Sequence, residues 1–215
     1  MVRGYVIVEG QGEVESVVNL LSRLWLDLQL PYAHWAPPMR RHGLHLEQKV
    51  RQTCGIVRAR GDAEMLLVLR DADLDDDCPR LRGPEAANWV RDEALPFPAA
   101  VVLLHKEYET LFLPCLPGLA GRPWRDDHGV ERGGFPAGTH YPGDPEQRRG
   151  VKEWLSDQMS RGRSYKPSLD QLPLTRLLDF GMLRESGLPC FGTLERALRF
   201  LGKHLGQSGI VYPPP

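Results

Sequence analysis

Met65-Leu66-Leu67-Val68-Leu69-Arg70-Asp71-Ala72-Asp73-Leu74-Asp75-Asp76-Asp77 is the stretch on which the reading of this 215-residue chain turns. Its first five residues are an uninterrupted apolar run, the pattern of a strand buried on both faces. The run ends in a burst of carboxylates. Open α/β sheets bind their ligands outside the carboxyl ends of the strands, so these acids stand where a ligand would sit. Asp71 and Asp73 are two residues apart. If extended geometry continues through them, both side chains leave one face, about 6.5–7 Å apart along the chain. Two carboxylates held that way can share a hard divalent cation, because Mg2+ takes one or two protein carboxylates and completes its shell with water and substrate phosphates. Asp75 continues the alternation and ranks third. Some of the remaining acids read as solvated loop residues. A calcium loop is a poor match, since the glycine at loop position 6 and the glutamate at position 12 are missing.

A second stretch has the same shape. Tyr5-Val6-Ile7-Val8 is apolar and β-branched, and Glu9-Gly10-Gln11-Gly12-Glu13 follows it. Val14, Val17, Val18, Leu21, Leu24, Trp25 and Leu28 then recur at helical spacing. The order is strand, Glu-Gly turn, helix, with Glu9 at the strand's end. Glu13 and Glu15 fall in the first helical turn, where the positive end of the helix dipole favours acids. The alternative is that one of them joins Glu9 at a metal. Glu13, closer to the turn, is the better candidate.

Val8-Glu9-Gly10 followed by Asp71-Ala72-Asp73, each after an apolar strand, resembles the Toprim domain shared by topoisomerases, primases and OLD-family nucleases. That resemblance implies three acids, Glu9, Asp71 and Asp73, binding Mg2+ or Mn2+ and supporting phosphodiester chemistry. A looser likeness covers most of the chain. Glu107-Tyr108-Glu109-Thr110-Leu111-Phe112, Val151-Lys152-Glu153 and the segment 191–201 look like a bacterial family of small Toprim-like proteins often encoded beside AAA-type ATPases. It implies an ATPase partner and a setting such as anti-phage defence. It also singles out Lys152 as a substrate-facing residue; spacing alone makes Lys152 a surface lysine.

The length suits one domain, or a domain with an appendage, with a proper core. The 27 Lys and Arg against 28 Asp and Glu give a formal charge of −1, which argues against a generally basic nucleic-acid binder but not against a local basic groove. Cys54, Cys78, Cys115 and Cys190 are scattered without a CxxC pair, so neither a zinc site nor a disulfide framework is indicated. No run approaches the roughly 20 apolar residues that span a bilayer. With no signal peptide visible, the expectation is a cytoplasmic, soluble protein.

The sequence predicts a strand over residues 2–8, a connection through the proline-rich segment 30–39 into a short strand, and a helix over 44–55. Arg40, Arg41, His42, His45 and Lys49 make that region basic: either a solvated helix face or a phosphate-contacting surface, since Lys and Arg dominate phosphate contacts. Residues 78–83 read as a loop and 84–95 as a helix with Pro84 in its first turn. Ala99 to Leu104 is a third buried strand, followed by His105, Lys106, Glu107 and Glu109. Those two glutamates either open an exposed helix or add to the metal site, and Lys106 is a candidate phosphate or acid–base group. Residues 114–150 are rich in Gly and Pro and read as a long loop or insertion. A helix follows over 147–159. Arg163 and Lys166 flank Tyr165 in a short basic segment suited to phosphates and a stacked base. Two more helices, over 172–183 and 193–205 with Thr193 as N-cap, precede a frayed tail.

The strand–helix alternation predicts an α/β domain with a mostly parallel sheet of about four strands flanked by helices, and a helical C-terminal part. The divisions are a Toprim-like core at 1–113, the insertion at 114–150 and the helical part at 151–215. The leading functional expectation is a metal-dependent nuclease with Glu9, Asp71, Asp73, Lys106 and Lys152 as its catalytic group. Glu13 and Asp75 are added metal ligands, and Arg40, Arg41, Arg163 and Lys166 contact substrate. The alternative is a non-catalytic or conditionally active partner of an AAA- or ABC-type ATPase; the chain has no Walker A motif of its own. A third possibility is that the acids are only solvated strand-end loops.

Overall fold

Parallel strands need long crossovers, and in this chain helices supply them. The computed structural model describes residues 2–74, 77–126 and 128–214. Strand β1 (Val2–Val8) enters helix α1 (Gln11–Asp27) through Glu9 and Gly10. Two short strands, β2 (Ala33–Trp35) and β3 (Met39–Arg40), lead to α2 (Glu47–Ala59). Then come β4 (Met65–Asp71), α3 (Pro79–Arg91) and β5 (Ala99–Leu104). A 3-10 turn at Tyr108–Phe112 precedes α4 (Leu116–Leu119) and the hairpin of β6 (Trp124–Arg125) and β7 (Glu131–Gly133). The last part holds α5 (Val151–Gln158), a π-helical turn at Pro167–Gln171, α6 (Leu172–Arg176), α7 (Phe180–Glu185), α8 (Pro189–Lys203) and β8 (Val211–Tyr212).

Among the described residues the main sheet has six strands, ordered β2-β1-β4-β5-β8 with β3 also beside β1, and each of these pairings is parallel. The fold is therefore the α/β class that the sequence predicts. β1 from Tyr5, β4 as far as Leu69 and the whole of β5 are apolar runs because both of their faces are covered. Val6, Val8, Leu67, Leu69, Val102 and Leu104 pack with α1 and α8 on one face. Ile7, Leu66, Val68, Val101 and Leu103 pack with α2 and α3 on the other. The helix after β1 covers the first face and the helix after β4 covers the second. β1 and β4 are neighbours, paired from Gly4–Met65 to Ile7–Val68. Adjacent strands whose following helices diverge to opposite faces make a switch point, with a crevice at their carboxyl ends.

Several local expectations are corrected. The strand count exceeds four because β2, β3 and β8, at three, two and two residues, are too short to carry a periodic signal. α3 starts at Pro79, so residues 78–83 are its cap and first turns rather than a loop, and Pro84 lies inside it. Residues 114–150 contain α4 and a hairpin. Trp124 and Phe135 anchor that segment in the main core, with ring centroids 5.2 Å apart. The helix predicted over 172–183 is two helices, α6 and α7. Thr193 sits within α8, its hydroxyl donating to the Pro189 carbonyl, because Pro189 rather than Thr193 opens that helix. The tail is partly ordered: Val211 pairs with Ala99, and Arg91 donates to the Pro213 carbonyl at 3.0 Å. The four cysteines are free, and among the described residues no helix is long and apolar enough to cross a membrane.

Candidate functional site

The pleat of β4 sends Leu67, Leu69 and then Asp71 toward the α1 face. Asp71 is paired with Leu104, so its carboxylate stands beside the end of β5. Past Leu104 the chain turns through Glu107 into the 3-10 turn that holds Glu109, which is 1% exposed. Tyr108 and Phe112 are buried in the core on either side of Glu109 and fix the direction of that turn. From β1, the first turn of α1 brings Glu13, also buried. Its Oε1 accepts the Gly10 N–H at 3.1 Å, which sets the side chain across the helix start. A side chain at position 10 would collide with that carboxylate, and one at position 12 would collide with Gln171, so both glycines serve close approach. Finally, Lys152 in the first turn of α5 places Nζ 3.4 Å from both Glu107 Oε2 and Glu109 Oε2. The Tyr165 hydroxyl donates to Glu109 Oε1 at 2.9 Å.

Four carboxylates thus surround one ammonium at the ends of three adjacent strands. Burial, and then the Glu109 charge, push the Glu13 carboxyl up to about 7, although backbone N–H groups and Lys152 pull it back. Burial, then Glu13 and Glu109, hold Asp71 well above the carboxylate range. Burial also raises Glu109, against the opposing pull of Lys152 and Tyr165. For Lys152, burial alone would favour the neutral amine. Glu109, Glu107 and Asp71 outweigh it, so the group is held as an ammonium. Even so, Asp71 Oδ1 is sealed from solvent with no hydrogen-bond partner, and Glu107 Oε2 and Glu109 Oε2, equally sealed, have only the Lys152 ammonium, at 3.4 Å. A buried oxygen left without a donor costs about 1–3 kcal/mol, and more when charged. A cation brought among them would remove that penalty. These are hard oxygen donors, the set that Mg2+ and Mn2+ select. Among the described residues, no three His, Cys, Asp or Glu side chains are gathered closely enough to enclose an ion as they stand.

The structure brings together Glu13, Asp71 and Lys152 of the residues singled out from sequence, together with Glu107 and Glu109, which the sequence left open between an exposed helix start and the metal site. It does not bring in Glu9 or Asp73. Glu9 turns the other way, and its Oε1 accepts the Leu44 N–H at 2.8 Å. The extended geometry assumed for Asp71 to Asp73 stops at Asp71. Asp73 is exposed in the following loop, where its carbonyl accepts from Arg149 at 2.8 Å. Asp75 lies outside the described residues. Asp77, which follows it, is not a loop acid in solvent but a buried partner of Arg70.

Lys106 is half-buried and has no polar partner among the described residues. Arg40 is exposed and donates to the Glu9 carbonyl at 3.2 Å and to Gln11 Oε1 at 3.0 Å; Arg41 is exposed beside it. Arg163 and Lys166 are exposed, on the segment that runs into the π-helical turn. Tyr165 between them is buried and bonded to Glu109, so it offers no platform for a base. No local signal in the sequence marks Tyr165 for that role.

Compared with known proteins, the chain matches no family model and no curated relative.

Proposed function

We propose that this protein is a Mg2+- or Mn2+-dependent phosphodiesterase that acts as a nuclease, with the acidic centre at the switch point as its catalytic site. The observation that carries the proposal is the set of buried carboxylate oxygens around the single Lys152 ammonium, with Asp71 Oδ1 unpaired and Glu107 Oε2 and Glu109 Oε2 sharing that one cation. The strand-end positions agree with it, and so does the Toprim resemblance at Asp71 alone. Asp71, Glu13 and Glu109 would hold the ion, in place of the Glu9 and Asp73 that the resemblance implies. When bound, such an ion lowers the pKa of a water and neutralises charge on the scissile phosphate.

The chain's own residues supply the rest. Gly10 fixes the orientation of Glu13, and Tyr165 fixes that of Glu109. Lys152 keeps its proton and offers an N–H to a non-bridging phosphate oxygen, the role of a charge-assisted clamp. Arg40 in β3 and Arg41 after it are exposed, and in this reading they would meet the backbone of a longer substrate and steer it by charge. Four unpaired thiols are compatible with a reducing cytoplasm.

The test is a cleavage assay on plasmid, single-stranded DNA and RNA, with Mg2+ or Mn2+, comparing wild type with Asp71→Asn and Lys152→Met. We expect metal-dependent cleavage that both substitutions abolish. Cleavage that survives Asp71→Asn would remove the acidic centre as its source. A wild type inert on every substrate would favour the other class, a partner subunit that works only with an ATPase.

A further inference from the structure

On the α2–α3 face of β5, away from Asp71, lies a cavity of about 440 Å3. That is within the range of small-molecule sites, roughly 300–1,000 Å3. Val101 and Leu103 of β5 form its floor, and the first turns of α3 and α8 form its sides. Gly83 explains why it is open. This residue lies inside α3 at an ordinary helical φ and is buried, yet a Cβ there would meet nothing within 4 Å. A helical glycine costs about 1 kcal/mol relative to alanine. Neither a turn nor a close approach requires one here, and its effect is to leave the space unfilled.

Charged groups of both signs line the cavity. Arg80 at the rim has no polar partner among the described residues. Arg196 is held at the rim by Tyr212, which accepts from Nε at 3.2 Å, and by Thr193, which accepts from Nη2 at 2.9 Å. Two guanidinium groups in one opening suit a phosphate, which they bind through paired N–H donors. The only described acid on the wall is Glu146. Its Oε1 accepts the Cys190 N–H at 2.6 Å, and its Oε2 is 3.6 Å from His105 Nδ1. Glu146 therefore already occupies the start of α8. A ligand's anionic group belongs at the arginines, and a donor such as an exocyclic amine belongs at Glu146. In the same lining Pro84, Leu103 and Pro213 offer apolar surface for a flat ring.

We propose that this cavity is a binding site for a nucleoside monophosphate, with its phosphate at Arg80 and Arg196, its base over the apolar floor and its amine toward Glu146. The site is separate from the acidic centre and does not depend on the phosphodiesterase reading. Its two polar walls nonetheless continue along the chain into that centre, His105 toward Glu107 and Glu146 toward Lys152.

The test is calorimetric titration of the full chain with AMP, GMP, CMP and UMP, with the nucleosides and inorganic phosphate as partial probes. We expect one monophosphate to bind saturably and more than about ten-fold tighter than its nucleoside or phosphate alone, the worth of a charge-assisted contact. Gly83→Phe fills the cavity and should abolish binding. Arg80→Ala changes an exposed side chain, so the fold should survive, and affinity should fall about ten-fold. Asp71→Asn should leave binding unchanged. The proposal is overturned if no monophosphate binds at millimolar concentration, if binding survives Gly83→Phe, if inorganic phosphate binds as tightly, or if Asp71→Asn removes binding.

Discussion

Arg70 and Asp71 are adjacent at the end of β4, and the pleat sends them to opposite faces of the sheet. On the α2–α3 side, the Arg70 guanidinium meets Asp77 in two hydrogen bonds of 2.6 Å, with both side chains under 5% exposed. Charge is matched by charge there, and the bond closes the loop that follows β4. On the α1 side, Asp71 meets Glu13, Glu107 and Glu109 with Lys152 as the only described cation among them, and its Oδ1 has no donor. Both groups are buried and ionisable, but only the first has its charge matched one for one, although Arg70 Nε is left without an acceptor. A balanced buried pair belongs to the architecture. The unbalanced cluster at the switch point is the one that the proposed cation would complete.

The contrast breaks most visibly at Asp71. Asp71→Asn removes an acid from a repulsive cluster and should raise the melting temperature, while cleavage falls about 10³-fold, or roughly 4 kcal/mol of transition-state stabilisation. If activity and stability fell together, Asp71 would belong with Arg70 as a structural group. Next in size is the balanced pair. Arg70→Met strands the buried Asp77 carboxylate and should lower unfolding free energy by about 3–5 kcal/mol in urea titrations. Replacing both residues, as Arg70→Met with Asp77→Leu, should recover most of that loss, since a packed apolar pair often matches a buried ion pair.

A pH series gives a smaller effect with a definite sign. Glu13 is raised from its ordinary 4.5 to about 7 in the folded chain. Between those values the native state holds a proton that the unfolded state has released. Its contribution is therefore fully present below pH 4.5 and is lost as pH rises through about 7, a decline on the order of 3 kcal/mol. Unfolding measured from pH 4.5 to 8 should show that slope in wild type and a flatter curve in Glu13→Gln. The smallest effect belongs to Asp73. Because it is exposed, Asp73→Asn should change stability by less than about 0.5 kcal/mol and leave metal binding intact. A large loss of metal binding there would restore the two-residue motif as the ligand set.

The fold was largely legible because its centre is three uninterrupted apolar runs, and a strand covered on both faces has no other pattern. Asp71 was legible for the same reason: it is where the run at Met65 ends. The pairing of Asp71 with Asp73 failed because alternation holds only while the strand lasts, and β4 stops at Asp71. Glu9 misled in another way. Its partner is the Leu44 N–H, delivered by a loop 35 residues later, and nothing near Glu9 announces that contact. Glu109, Lys152 and Tyr165 meet only after α5 and the segment behind it fold back onto β5. Their spacing in the chain has no period to detect. The short edge strands and the start of α3 were hidden by the same prolines that place them.

The central claim is that the unbalanced carboxylates take a divalent cation, and Mn2+ titration followed by calorimetry and by the electron spin resonance signal of free Mn2+ tests it most directly. We expect saturable binding to wild type, stronger at pH 8 than at pH 6 because Glu13 must lose its proton, abolished in Asp71→Asn and retained in Asp73→Asn. Absence of saturable binding, or binding that Asp71→Asn leaves unchanged, would contradict it.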